Sequence, residues 1–166
     1  MEDKMTRIDY VPCINGMYQS QGFPAYQWSE FDSSPWASFE KPLNQACIAL
    51  ISSAGIFRKD QKPFDPWAVN DFSIRQIPTD TPLEQLKLHH NYFDHRDALK
   101  DMNCVFPIRR LEGMAESGFI GSFAPIAITL GMGRLYKRSA MLQETVPEIL
   151  KVLDKQQTDA ALLVAA

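Results

Sequence analysis

Features that mark secreted, membrane-spanning or metal-binding proteins are scarce in these 166 residues. The three cysteines, Cys13, Cys47 and Cys104, are odd in number and widely spaced. They therefore form neither a disulfide framework nor a Cys-x-x-Cys redox or zinc pair. No apolar run is long enough to cross a bilayer, and the mixed charges of residues 1–10 do not form a secretory signal. We expect a cytoplasmic protein that does not bind membranes.

The chain also lacks a strong charge of either sign. Its formal net charge is -3, and the densest basic segment, Arg134 to Arg138, is short. Nucleic-acid binding requires a basic face that neutralises phosphates, so no nucleic-acid partner is expected. The hydrophobic fraction of 45% and the charged fraction of 22% are ordinary for a globular protein. We therefore expect one domain over residues 1–166.

The hydrophobic patterns predict an α/β fold with a mainly parallel sheet and flanking helices, preceded by an aromatic-rich N-terminal arm (residues 1–45). The run from Cys47 to Ser53 and the run from Asp159 to Ala166 are typical of buried strands. The alternation from Phe72 to Ile77 indicates a half-exposed strand. Residues 57–69 are predicted to be a loop. Further elements are expected as helices over 81–88, 107–118 and 141–157 and a strand within 119–132.

All three histidines lie within seven residues, in the segment from His89 to His95. Histidine changes protonation near neutral pH, so such a cluster is suited to acid–base chemistry or substrate contact. We select His90 and Asp94 as candidate catalytic residues, although their spacing of four places them on one face only in a helix. A solvated loop without a role is the alternative, and no metal site is expected.

Other candidates follow from position. Ser52 and Ser53 end the first buried strand, where hydroxyls and amides can meet an anionic substrate, although a tight turn at Gly55 would explain the same residues. Arg75 can clamp a carboxylate or be a surface charge. Cys104 precedes a predicted helix and is either a reactive thiol or an inert one.

From about Tyr18 to Ala166, the chain resembles the substrate-specific B-type subunits of glycine, sarcosine, betaine and D-proline reductases, and the shorter D-proline type most of all. The motifs that carry the resemblance are, in order, Pro24-Ala25-Tyr26-x-Trp28, Lys41-Pro42-Leu43, Ala49-Leu50-Ile51-Ser52-Ser53-Ala54-Gly55, Ser73-Ile74-Arg75-Gln76-Ile77-Pro78, Leu83 to Leu88, His90-x-Tyr92-Phe93-Asp94, Asn103-x-Val105-Phe106-Pro107-x-x-Arg110-Leu111, Gly118-Phe119-Ile120-Gly121 and Asp159-Ala160-x-Leu162-Leu163-Val164.

The resemblance implies a thiol-dependent reductive cleavage of a C–N bond in D-proline, glycine or a related amino acid or betaine. In that family a selenocysteine, or a cysteine in some relatives, attacks the carbon beside the substrate carboxylate. A pyruvoyl group on a partner subunit holds the amine in the D-proline and glycine enzymes, and a dithiol is the reductant. No cofactor is expected to bind this chain directly.

In the family, the redox residue comes just after the strand that matches Asp159 to Ala166. We therefore expect a selenocysteine directly after Ala166, encoded by a UGA codon that was taken as a stop. On this interpretation, the 166 residues are the substrate-facing part of a longer protein. Two alternatives remain: a non-catalytic subunit that binds substrate or assists assembly, and an isomerase or racemase that uses Cys104 with a histidine.

Overall fold

The computed structural model describes residues 9–25, 30–131 and 137–166. The chain divides into two compact units, Met1–Phe39 and Glu40–Ala166. In the first unit, helix α1 (Tyr10–Ser20) is followed by a turn in which the rings of Tyr18 and Phe23 meet edge to face at 6.0 Å. Tyr26 and Trp28 of the first motif lie outside the described residues, as does Arg134 of the basic segment.

The second unit contains the sheet. Its strands are β1 (Cys47–Ser52), β2 (Ile56–Arg58), β3 (Ile74–Pro78), β4 (Leu86–Leu88), β5 (Ser122–Phe123), β6 (Ile126–Leu130) and β7 (Ala160–Val164). Its helices are α2 (Arg96–Lys100), α3 (Ile108–Glu116), α4 (Arg138–Ala140) and α5 (Val146–Lys155), with a π turn over Met141–Thr145 and short 3-10 turns at Leu43–Gln45, Leu83–Gln85 and Met102–Cys104.

Strand β1 is the centre of the main sheet. It pairs in parallel with β7 along one side, and with β5 and then β6 along the other. Strand β3 lies beyond β6 and runs antiparallel to it. The mainly parallel sheet predicted from the sequence is thereby confirmed. Since β1 has neighbours on both sides and a layer on each face, its side chains Ala49 and Leu50 are fully buried.

Each face of the main sheet is covered by a different layer. Helix α5 packs Ile149 and Val152 against the face that carries Ile51 and Ile128. The opposite face, which carries Ile48 and Leu50, is covered by α3 and by the two-stranded β2–β4 sheet; the other core residues of this side include Ala54, Ile56, Ile77, Leu86, Phe106, Ile108, Leu111 and Ala127. Helices thus flank the sheet, as the patterns predict.

Three local predictions need correction. Residues 57–69 are not wholly a loop, because β2 continues to Arg58 and pairs with β4. The predicted helix over 81–88 is a single 3-10 turn that passes into β4, since pairing with β2 outweighs the capping pattern. Strand β7 is not buried as expected: Leu162 is 41% exposed and Leu163 is 72% exposed, because among the described residues β7 pairs only with β1.

The helices that were predicted from Pro107 and from Met141 are confirmed. Helix α3 begins after Pro107 and ends before Gly118, whose φ of +73° forms the turn that closes the helix. The second helix is irregular at its start. Pro147 has no N–H to donate, so the hydrogen-bond ladder widens into the π turn before α5 continues.

Candidate active site at the carboxyl ends of the parallel strands

The carboxyl ends of β1, β6 and β7 lie at the same edge of the sheet, because these strands are parallel neighbours. Ligands of open α/β sheets gather at this edge. We call the region the strand-end site and define it as Ser52–Gly55, Phe64, residues 89–95, Gly131 and Ala166. Two of the predicted site residues, Ser52 and Ser53, occupy the end of β1, and His90 lies in the segment that covers it.

The two serines at the end of β1 already have hydrogen-bond partners. The hydroxyl of Ser52 is fully buried, donates to the carbonyl of Val105 at 2.7 Å and accepts from the N–H of Ala54 at 3.2 Å. The Ser53 hydroxyl oxygen accepts from the N–H of Ala166 at 3.0 Å and lies 3.4 Å from the Ala166 carbonyl. Ser52 therefore shapes the turn, whereas Ser53 ties the end of β1 to Ala166, two residues after β7.

Gly55 brings the histidine segment against this turn. Its φ is +66°, and a Cβ at this position would lie 2.3 Å from the His89 carbonyl oxygen and 3.7 Å from the His90 Cβ. The His89 N–H in turn donates to the Gly55 carbonyl at 3.1 Å. Only glycine combines this backbone conformation with so close an approach. The tight turn at Gly55 therefore determines where His89 and His90 lie.

His90 is a neutral hydrogen-bond donor in this arrangement. Its side chain is 3% exposed, and its Nδ1 accepts from the Tyr92 N–H at 3.1 Å, which leaves the proton on Nε2. Burial, and then the nearby His95, lowers the pKa of His90 from its ordinary value. Among the described residues, the buried Nε2 has no hydrogen-bond partner. It is thus a donor suited to an acceptor such as a carboxylate.

Asp94 does not share a face with His90, because residues 89–95 are not helical. The Asp94 carboxylate is largely exposed and forms an ion pair with Arg96, which starts α2. Hydrogen bonds from the Arg96 side chain and N–H lower the pKa of Asp94 below its usual value. Asp94 is therefore an ionised acceptor at neutral pH. His95 resembles His90 more than Asp94 does. Among the described residues its buried Nδ1 also has no hydrogen-bond partner, and the rings of both histidines contact Phe93.

Arg75 lies in the same row across the sheet as Ser52. Its register partner is Thr129, which is itself paired with Ser52, so Arg75 is two strand spacings, roughly 10 Å, from the serine. The guanidinium is engaged by the protein. Nε donates to the Lys62 carbonyl at 2.8 Å, and one terminal nitrogen donates to the Ser73 hydroxyl at 2.8 Å and the Ile74 carbonyl at 2.9 Å.

A polar groove of about 570 Å³ lies beside Arg75, near the carboxyl end of β6. Its lining residues are Gln61, Lys62, Pro63, Asp65, Ala68, Asn70, Asp71, Ser73 and Arg75. Gly131 closes this end of β6, where an added Cβ would lie 2.8 Å from atoms of both Asp71 and Phe64. The groove and the serine turn are therefore parts of one sheet edge, separated by Phe64.

Cys104 is exposed, and its sulfur lies 4.0 Å from the carbonyl of Asp97 in the first turn of α2. The described residues contain no group of three or more His, Cys, Asp and Glu side chains arranged to hold a metal ion. In the same parts of the chain, no helix is both long and apolar enough to span a membrane.

Comparison with known proteins aligns 130 residues of the chain with the D-proline reductase subunit gamma of Acetoanaerobium sticklandii, at 37% identity. The chain belongs to the D-proline reductase family. The alignment includes 78% of this chain and 52% of the relative, so the chain spans about half the length of the curated relative that it matches. The resemblance inferred from the motifs is confirmed. No family model and no solved structure matches the chain.

Proposed function

We propose that this chain is the substrate-facing part of a reductase subunit that cleaves a C–N bond of D-proline, glycine or a related amino acid or betaine with electrons from a dithiol. The observation that carries the proposal is the 37% identity to a D-proline reductase subunit over 130 residues. The position of the paired serines and the buried His90 at the carboxyl ends of parallel strands supports it.

In this proposal, His90 contacts the substrate through its Nε2–H. A carboxylate oxygen would complete the hydrogen bonding of that buried donor, and a charge-assisted bond of this kind is stronger than one between neutral groups. Asp94 is ionised and thus suits contact with a cationic nitrogen rather than proton donation. The Ser52 hydroxyl donates to the Val105 carbonyl and the Ser53 hydroxyl accepts from the Ala166 N–H, so both shape the strand-end turn that would meet the substrate. Arg75 borders the polar groove.

We further propose that the redox residue, a selenocysteine or a cysteine, follows Ala166. The two contacts between Ser53 and Ala166 support this position, because they hold the residues after β7 beside the serine turn. A low-pKa selenolate or thiolate would supply the nucleophile there. Reading the codon after that of Ala166 tests the proposal: UGA followed by an open frame, or a cysteine codon, supports it, and UAA or UAG contradicts it.

The activity itself is tested with the complete subunit, reconstituted with a pyruvoyl-containing partner subunit. Both proteins are prepared from the cytoplasmic fraction of a cell that produces them. We expect dithiothreitol to drive release of 5-aminovalerate from D-proline, or of acetyl phosphate from glycine. Substrate binding without either product would instead support a non-catalytic binding or assembly subunit. Racemised substrate that forms without dithiol, and that is lost on alkylation of Cys104, would support an isomerase.

Two substitutions of His90 distinguish the roles of its two ring nitrogens. His90→Asn keeps an oxygen able to accept from the Tyr92 N–H but removes the Nε2–H, whereas His90→Gln places an amide near the Nε2 position. We expect turnover to fall about 10- to 100-fold in His90→Asn, by the energy of one charge-assisted hydrogen bond, and less in His90→Gln. Unchanged turnover in His90→Asn would remove His90 from the site.

A further inference from the structure

His89 has the opposite tautomer from its neighbour. Its Nδ1 lies 3.1 Å from the carbonyl oxygen of Phe64, which can only accept, so Nδ1 carries the proton and Nε2 is the acceptor. The ring also packs against Phe57 at a centroid distance of 4.8 Å. His89 is exposed, whereas His90 is buried. One edge of the imidazole is therefore fixed by the protein while the side chain as a whole is accessible to solvent.

Arg75 contacts the segment that carries the Phe64 carbonyl. Its guanidinium carbon lies 4.2 Å above the Phe64 ring, and its Nε and one terminal nitrogen donate to the carbonyls of Lys62 and Pro63 at 2.8 Å and 3.4 Å. The other terminal nitrogen bonds to Ser73 and Ile74. Phe64 is 2% exposed, so its ring is held by core packing as well as by Arg75. Because both terminal nitrogens are bonded to the protein, Arg75 has no free bidentate edge for a carboxylate.

We propose that His89 is the proton acceptor of the strand-end site and that Arg75 positions it through Phe64 instead of binding a substrate carboxylate. The inference rests on the proposed function, because the proton comes from the thiol of the dithiol reductant. In that step, the S–H proton moves to Nε2 of His89, which leaves a thiolate and an imidazolium. An imidazole whose Nδ1–H is held by a carbonyl is oriented for this role, as in other acid–base sites.

Charged residues lie on the segments next to His89 in the chain and in the strands beside it, among them Arg58, Asp60, Asp65, Arg75 and Lys87. Arg58 and Asp60 neutralise each other as an ion pair, and the Asp65 carboxylate accepts from the Trp67 N–H. The variants below leave all of these except Arg75 unchanged, and Arg75→Lys preserves its charge.

The experiment compares three variants of the complete subunit in the reconstituted reductase. His89→Asn retains a donor to the Phe64 carbonyl but cannot titrate, and His89→Ala removes both functions. We expect kcat to fall roughly 100-fold in both variants, which is the lower range for loss of a general base. Added imidazole should restore part of kcat in His89→Ala. Wild-type kcat in His89→Asn, or no rescue of His89→Ala by imidazole, would overturn the role of His89.

Arg75→Lys tests the positioning. Lysine cannot make the four hydrogen bonds of the guanidinium, so the nitrogen-15 NMR signals of His89 should change from one fixed tautomer to a mixture. Its kcat should fall while the KM for the amino acid stays within about twofold of the wild type. A raised KM with unchanged kcat and tautomer would identify a carboxylate contact and overturn the inference. Absence of dithiol-driven turnover in the wild-type complex would instead refute the proposed function, whatever the His89 tautomer.

Discussion

Gly55→Ala is the substitution that most directly tests how the histidine segment is placed. Gly55 has a φ of +66°, and a Cβ there would lie 2.3 Å from the His89 carbonyl oxygen and 3.2 Å from its carbonyl carbon. The obstacle is backbone, so no side-chain rotation can relieve it. We expect residues 89 and 90 to move away from the end of β1 and the hydrogen bond from the His89 N–H to the Gly55 carbonyl to be lost.

Gly118→Ala is a matched control in the same unit. Gly118 has a φ of +73°, and nothing lies within 4 Å of an added Cβ. This variant carries only the cost of a left-handed conformation in a residue with a Cβ, about 1 to 2 kcal/mol. Gly55→Ala carries the same cost, together with a lost buried hydrogen bond and displaced packing of His90. We expect its additional destabilisation to be about 2 kcal/mol.

The assay is urea unfolding of both variants and the wild type, followed by circular dichroism. With an m-value of about 2 kcal/mol/M, the midpoint of Gly55→Ala should lie roughly 1 M below that of Gly118→Ala. The same preparation gives a second measurement, since His90 should become accessible and its NMR signals should titrate closer to the ordinary histidine range. Equal midpoints for the two alanine variants would refute the close approach between Gly55 and His89.

Two further predictions concern the sheet. Asp159 accepts from the Cys47 N–H at 2.8 Å and from Lys41 at 2.6 Å, and these bonds lower the pKa of Asp159. The contribution of Asp159 to stability is therefore complete above about pH 4 and is lost as the pH falls through the lowered folded pKa. Asp159→Asn should therefore show a smaller loss of stability than the wild type between about pH 4 and pH 2, and an acid titration identical to the wild type would contradict this. Leu50→Ala, in the fully buried centre of β1, should cost about 2 to 5 kcal/mol in urea unfolding, whereas Leu163→Ala, at 72% exposure, should cost under about 0.5 kcal/mol; similar costs would argue against the assigned positions of β1 and β7.

Strands β1 and β7 show which parts of the fold are readable from sequence. Both are short apolar runs, and both are correctly predicted as strands of a parallel sheet. Burial is different, because it depends on what lies alongside the strand. The run from Cys47 to Ser52 has neighbours on both sides, whereas Leu163 projects from a strand with one neighbour among the described residues. The composition of the two runs carries no information about that difference.

The β2–β4 pair could not be predicted for a related reason. The sequence from Thr81 to Glu84 has a capping pattern that favours a helix, and it does form one 3-10 turn. The next three residues then pair with Ile56–Arg58, which are about 30 positions earlier in the chain. Local propensity is thus outweighed by a long-range contact. The same contact places His89 and His90 beside Gly55. The position of the site therefore could not be predicted from local sequence either.

The two adjacent histidines illustrate what a cluster of titratable residues in a sequence can and cannot establish. They follow β4 directly, and along a strand successive side chains point to opposite sides. His90 therefore turns inward, accepts from the Tyr92 N–H and keeps its proton on Nε2, while His89 is exposed and keeps its proton on Nδ1, against Phe64. Neighbouring imidazoles thus offer one buried donor and one acceptor on an exposed side chain. Three histidines in seven residues indicate a functional site. The different roles of His89 and His90 follow from strand β4, which precedes them, and from the turn at Gly55, against which they pack.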